Sequence, residues 1–126
     1  GLADRWPGAG EELRRDIVAA WAMPASFARG GEAQLVRAAE LSSGTAAAAA
    51  AAVLSERRAG PPGLGDQVLV GAIREGAADD RRFALRIAPL RVPAVRLAVQ
   101  EASRSAPSVT SFASDCVLDM TELSAR

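Results

Sequence analysis

The sequence predicts an all-α fold assembled from repeated helical hairpins. Two observations carry that prediction: apolar residues recur at helical spacing through most of the 126 residues, and runs in which β-branched or aromatic residues alternate with polar ones are almost absent. A third is internal similarity, in which pairs of helices recur about every thirty residues. With 49% hydrophobic and 24% charged residues, the chain has the size and content to bury one core.

The first helix is expected over residues 10–23, where Leu13, Ile17 and Trp21 fall at i, i+4 and i+8 before Pro24 ends it. Trp21 reads as a core residue. A second helix, over 32–41, gathers Leu35, Ala38 and Ala39 on one side. The third contains an uninterrupted tract of alanines, Ala46 to Ala52, with Gly44 or Thr45 as N-cap, Arg57 and Arg58 opposing the macrodipole, and Gly60-Pro61-Pro62 as a stop. Alanine has the best helix propensity, yet a helix this short is marginal alone in water, so the tract needs neighbours. The apolar run Ala46 to Leu54 is less than half the roughly 20 residues that span a bilayer, and no membrane segment is expected.

Beyond the Gly-Pro loop, Asp66 is expected to cap a helix carrying Leu69, Ala72 and Ile73, which gives out at Gly76. Asp79 or Asp80 starts the next, with Phe83, Ile87 and Leu90 at i, i+4 and i+7. Pro93 suits the first turn of a helix bearing Val95, Ala98, Val99 and Ala102. The last begins around Pro107 and has the cleanest stripe: Val109, Phe112, Ala113, Cys116, Val117 and Met120. That makes about seven helices joined by short loops.

Leu35, Leu69 and Leu97 occupy the same place in their helices, 34 and 28 residues apart, and the partner helices end with Leu54, Ile87 and Leu118. Three hairpins follow from this alignment, preceded by "EELRRDIVAAWAM", which looks like the second half of an earlier unit. A lone hairpin cannot bury its apolar stripe, whereas stacked hairpins make a continuous core, and an alanine-faced helix lets its neighbours approach closely.

The pattern resembles HEAT and HEAT-like repeats, whose second helix often begins with a DPxVR-type turn. "APSVTSFASDCVL" matches the proline and valine of that turn but has Ala106 and Thr110 in place of the aspartate and arginine. "DDRRFALRIAPL" keeps Asp80 and, six residues on, Arg86, similar to the family spacing that forms a polar ladder between stacked repeats. The resemblance implies a right-handed α-solenoid of about three to four hairpins in a single domain, with approximate units 1–30, 31–62, 63–91 and 92–126, excised from a longer protein. An irregular helical bundle is the alternative.

Composition excludes much chemistry. Fifteen arginines balance fifteen carboxylates at a net charge of +0, so nucleic acid is disfavoured as a partner, and the absence of His, Lys and Tyr removes most of the usual catalytic groups. Cys116, the single cysteine, has no histidine to activate it and shares an apolar stripe, so it reads as a buried structural residue. Ser-His and Ser-Lys activation are impossible within the chain, and zinc sites built from Cys and His are out of reach. Neither a metal nor a cofactor is expected. The paired carboxylates Glu11-Glu12 and Asp79-Asp80, with Asp115 and Asp119, read as helix-start charges and solvated faces. "GPPGLGDQ" and "WPGAGEEL" precede helices but lack a P-loop lysine and a preceding strand, and read as loops and caps.

Arginine supplies the candidate partner-binding residues. Arg81, Arg82 and Arg86 cluster on the second helix of the central unit, and Arg14 and Arg15 on the corresponding helix near the start. In HEAT-like solenoids second helices tend to line the concave surface, so the resemblance places some of these arginines where partners dock. The competing readings are a solvated face, a ladder role for Arg86, or i,i+4 pairing. Trp6 is a further candidate, against packing on the first helix. The expected function is a non-enzymatic module that binds a protein or peptide partner, with oligomeric state and compartment left open. The resemblance also admits HEAT-like enzymes, such as an alkylpurine DNA glycosylase or a bilin-lyase-like protein, and a purely structural spacer.

Overall fold

A computed structural model describes residues 1–104, and every regular element among them is helical. In chain order these are α1 (Leu2–Arg5), α2 (Glu11–Ala22), α3 (Pro24–Ser26), α4 (Glu32–Leu41), α5 (Gly44–Arg57), α6 (Leu64–Glu75), α7 (Ala78–Ile87) and α8 (Pro93–Arg104). The helix expected near Pro107, with Asp115, Cys116, Leu118 and Asp119, lies outside the described residues. The one-turn α1 was not among the expected elements.

Between α3 and α4 the chain turns at Phe27–Gly31, where Arg29 (φ −99°, ψ 22°) and Gly30 (φ 117°, ψ −7°) leave helical space. Gly31 permits that turn to close, because a Cβ there would lie 2.4 Å from the Trp21 carbonyl oxygen.

The alanine helix α5 is the centre of the packing. It touches α2, α4, α6 and α7, and Ala46, Ala47, Ala48, Ala50, Ala51 and Leu54 are buried. A helix packed on so many sides cannot carry long side chains, because the interior is close-packed and each neighbouring axis must come near. At the crossing with α6 the approach is set by Gly65, whose added Cβ would lie 2.6 Å from the Ser55 nitrogen and 2.7 Å from the Ala51 carbonyl oxygen. At the far end α5 stops at Arg57. Arg58 turns left-handed (φ 52°, ψ 43°) and donates its N–H to the Leu54 and Ser55 carbonyls. The helix thus ends before the Gly-Pro stop. Gly60 (φ 72°) follows, its N–H donated to Glu32 Oε2 at 3.1 Å, which ties the end of the α4–α5 hairpin to the start of α4.

Several expectations are corrected. Leu13 is 48% exposed because the buried face of α2 runs through Ile17, Val18 and Trp21, and Arg14 holds its first-turn position. The N-cap of α5 is Ser43, and its side chain makes no capping bond. Asp66 does not cap α6, which starts two residues earlier behind left-handed Gly63; its carboxylate accepts the Ser55 hydroxyl proton at 2.5 Å instead. Helix α7 opens behind Ala77, with both aspartates in its first turn, and ends before Leu90; Ala84 is its buried residue, flanked by half-buried Phe83 and Ile87. Leu35 and Leu69 are 0% exposed but Leu97 is 49% exposed, so the three-leucine alignment fails in α8. There the buried stripe is Val95, Ala98 and Val99, and Leu97 projects from the opposite side of the helix.

Candidate functional site

The predicted site residues fall into two groups that the structure does not bring together. Arg14, Arg15 and Trp6 are turned to the interior of the fold, whereas Arg81, Arg82 and Arg86 are exposed on α7.

The inner group is built where α2 meets α5. Thr45, in the first turn of α5, is buried, and its hydroxyl donates to Glu11 Oε2 at 2.7 Å while accepting from the Arg15 guanidinium, also at 2.7 Å. The same Glu11 oxygen accepts the backbone N–H of Thr45 at 2.9 Å and of Ala46 at 3.3 Å. These are orphan amides of the α5 N-terminus, so a carboxylate from the neighbouring helix supplies the cap that Ser43 does not. The Thr45 hydroxyl above all, then the Ala46 and Thr45 amides and the charge of Arg14, hold the Glu11 carboxyl below its ordinary range against the opposing effect of partial desolvation.

Further contacts tie this group together. Arg14 donates from Nε to the Trp6 carbonyl at 3.1 Å and from Nη2 to the Pro7 carbonyl at 3.4 Å, with its guanidinium 5.1 Å from the Trp6 ring centre. Trp6 in turn stacks on Trp21 at 5.4 Å. Arg15 lies 5.3 Å from the centre of the Phe83 ring, linking α2 to α7. Stacked aromatic pairs contribute about 0.5–1.5 kcal/mol beyond area burial, and exposed cation–π contacts about 0.5–1 kcal/mol. The constellation anchors the start of the chain on α2 and caps α5, and Arg14, Arg15, Glu11 and Thr45 are engaged within it.

The outer group faces solvent. Arg81 donates to the Arg74 carbonyl at 3.3 Å and Arg82 stands 4.0 Å from Asp79, while Arg86 makes no hydrogen bond or ion pair among the described residues. No ion pair joins Asp80 to Arg86 among those residues, so the ladder spacing is present in sequence without the contact. Two further exposed arginines, Arg91 and Arg96, follow in the turn after α7 and the first turn of α8. Sequence reading by helix and hairpin passed over them. A running charge count would have found them, because no carboxylate occurs between Arg81 and Gln100.

Two open hollows flank the Phe27–Gly31 turn. One, of about 340 Å³, is lined by Trp21, Ser26, Arg29 and Gln34; the other, of about 500 Å³, lies beside Phe27, Val36 and Arg37. Among the described residues no buried side-chain nitrogen or oxygen lacks a hydrogen-bond partner, so neither hollow has an orphan polar group aimed into it. No described helix is long and apolar enough to cross a membrane.

The chain matches no family model, no curated protein and no solved structure.

Proposed function

We propose that the chain is a segment of an α-solenoid of HEAT-like hairpins that serves as a non-enzymatic protein-interaction or scaffolding module, using the exposed arginine side of α7. The observation that carries this reading is the order of helix contacts. Helices α2, α5 and α7 touch in succession, α4, α6 and α8 touch in succession, and α4 with α5 and α6 with α7 form the hairpins. Contact is therefore concentrated between neighbouring units, as stacked repeats require and as a bundle closed around one axis does not.

The ordering of charge supports the same reading. The inner arginines are spent on internal bonds, whereas Arg81, Arg82 and Arg86 of α7 are exposed to solvent. A surface of this kind suits docking, in which Arg is an enriched residue type.

The test is affinity capture with the wild-type chain and with a variant carrying Arg81→Ala, Arg82→Ala and Arg86→Ala. A partner retained saturably by the wild type and lost by the variant supports the reading. Retention that ignores the three substitutions sinks the site. Tight, salt-sensitive binding of duplex DNA in a filter assay at low salt would favour a glycosylase-like role instead.

A further inference from the structure

We infer that the arginine-rich stretch running from α7 into α8 recognises an acidic segment of another protein, through Arg86, Arg91 and Arg96. This inference rests on the interaction-module reading above and adds the chemistry of the partner.

The net charge of +0 conceals a segregation along the chain. Residues 81–104 carry six arginines against the single carboxylate Glu101, leaving nine arginines against fourteen carboxylates elsewhere. The carboxylate that is present is already engaged: Glu101 accepts from Arg74 of α6 at 2.8 Å. Arg86, Arg91 and Arg96 are exposed and make no hydrogen bond or ion pair among the described residues. Exposed guanidinium groups attract a ligand bearing carboxylates, an attraction that added salt screens. The planar guanidinium fork pairs with carboxylates in bidentate geometry, which gives direction as well as charge.

The distribution of charge favours a short acidic polypeptide over nucleic acid. Helix α7 has 10 residues and is about 15 Å long, so the basic stretch is brief. A long polyanion would run past it onto a remainder of the chain that is net acidic. Base stacking needs exposed aromatic rings, and Phe83, the aromatic residue on α7, is half-buried beneath Arg15. Leu97, 49% exposed beside Arg96, gives an acidic peptide an apolar contact that DNA would not use.

The experiment is fluorescence anisotropy on the full chain with a dye-labelled peptide of alternating Glu and Leu, a Gln-Leu peptide of equal length, and a short DNA duplex. The Glu-Leu peptide is expected to bind saturably at about 50 mM salt, and at least about tenfold more weakly at about 200 mM. Substituting Arg86→Gln, Arg91→Gln and Arg96→Gln together is expected to weaken it by about tenfold, or about 1.4 kcal/mol. These exposed positions leave helicity and Tm unchanged, which circular dichroism verifies. Equal binding of the Glu and Gln peptides, tighter binding of the duplex, or full affinity in the triple variant overturns the inference. If a partner captured by the wild-type chain is held equally by the triple variant, the acidic-partner assignment falls while the interaction-module reading stands. If the wild type captures no partner and binds no acidic peptide, both fall.

Discussion

The crossing of α5 and α6 offers the sharpest test of how the alanine helix works. Substituting Gly65→Ala places a Cβ 2.6 Å from the Ser55 nitrogen and 2.7 Å from the Ala51 carbonyl oxygen, both backbone atoms of α5 that cannot rotate away. Ordinary contact begins near 3.4 Å, so the two helices must separate by about 0.8 Å locally. The Ser55–Asp66 hydrogen bond at the same crossing, 2.5 Å long, would be stretched with them. Overpacking of this kind costs about 1–3 kcal/mol, against which the better helix propensity of alanine returns about 1 kcal/mol. The net loss is therefore up to about 2 kcal/mol, or a fall in Tm of up to about 8 °C for a chain of this length. Gly71 lies on the same helix with nothing within 4 Å of its added Cβ. Gly71→Ala should therefore keep the propensity gain and raise stability by about 0.5–1 kcal/mol. Thermal and urea unfolding followed by helical circular dichroism measures both. If Gly65→Ala gains as much stability as Gly71→Ala, the close-approach argument is wrong.

Three other outcomes follow from the same packing. Ala48, Ala50 and Ala51 are 1%, 0% and 0% exposed, so leucine at any of them should cost about 1–3 kcal/mol in urea unfolding; unchanged midpoints would place the tract at the surface. Glu11 has its folded pKa lowered from a reference of 4.5, so its contribution is present above that value and is lost as pH falls through the folded pKa. Glu11→Gln, which cannot titrate, should show a shallower acid-side fall in Tm than wild type, and superimposable acid limbs would refute the cross-helix cap. Arg58 ends α5 at φ 52°, a conformation that glycine adopts without a Cβ penalty. Arg58→Gly should raise stability by about 1 kcal/mol, and a loss in chemical denaturation would show that the Arg58 side chain contributes more than its strain costs.

Helix existence was legible because it is governed by local pattern. The periodic stripes of α4, α6 and α8, the first-turn proline Pro93 and the alanine propensity of α5 all act within a few residues of themselves. Caps were less legible. Asp66 has the residue type and position of a helix-start carboxylate, yet its partner is Ser55 on the preceding helix. Glu11 likewise reads as a first-turn charge of α2, but its oxygen closes the N-terminus of α5, more than thirty residues away. Nothing in a linear pattern distinguishes a carboxylate that caps its own helix from one that caps a neighbour.

The candidate surface divides in the same way. That arginines cluster near residue 81 is a property of the sequence alone, and so is the absence of carboxylates up to Gln100. Which arginines stay exposed is not. Arg14 and Arg15 resemble Arg81 and Arg82 as sequence pairs, but the former meet Trp6, Thr45 and Phe83 across the fold, whereas Arg81 and Arg82 stay exposed.

The sequence by itself determined that this chain is helical, where most helices run, and that its central helix must be thin, since those depend on backbone propensity, residue volume and short-range periodicity. Tertiary structure decided where a stripe departs from its expected residues, as at Leu13 and Leu97, and where each charge finds its partner. Those outcomes depend on the approach of helices distant in the chain, and a one-residue shift of a stripe rotates a side chain by about 100° from core to solvent.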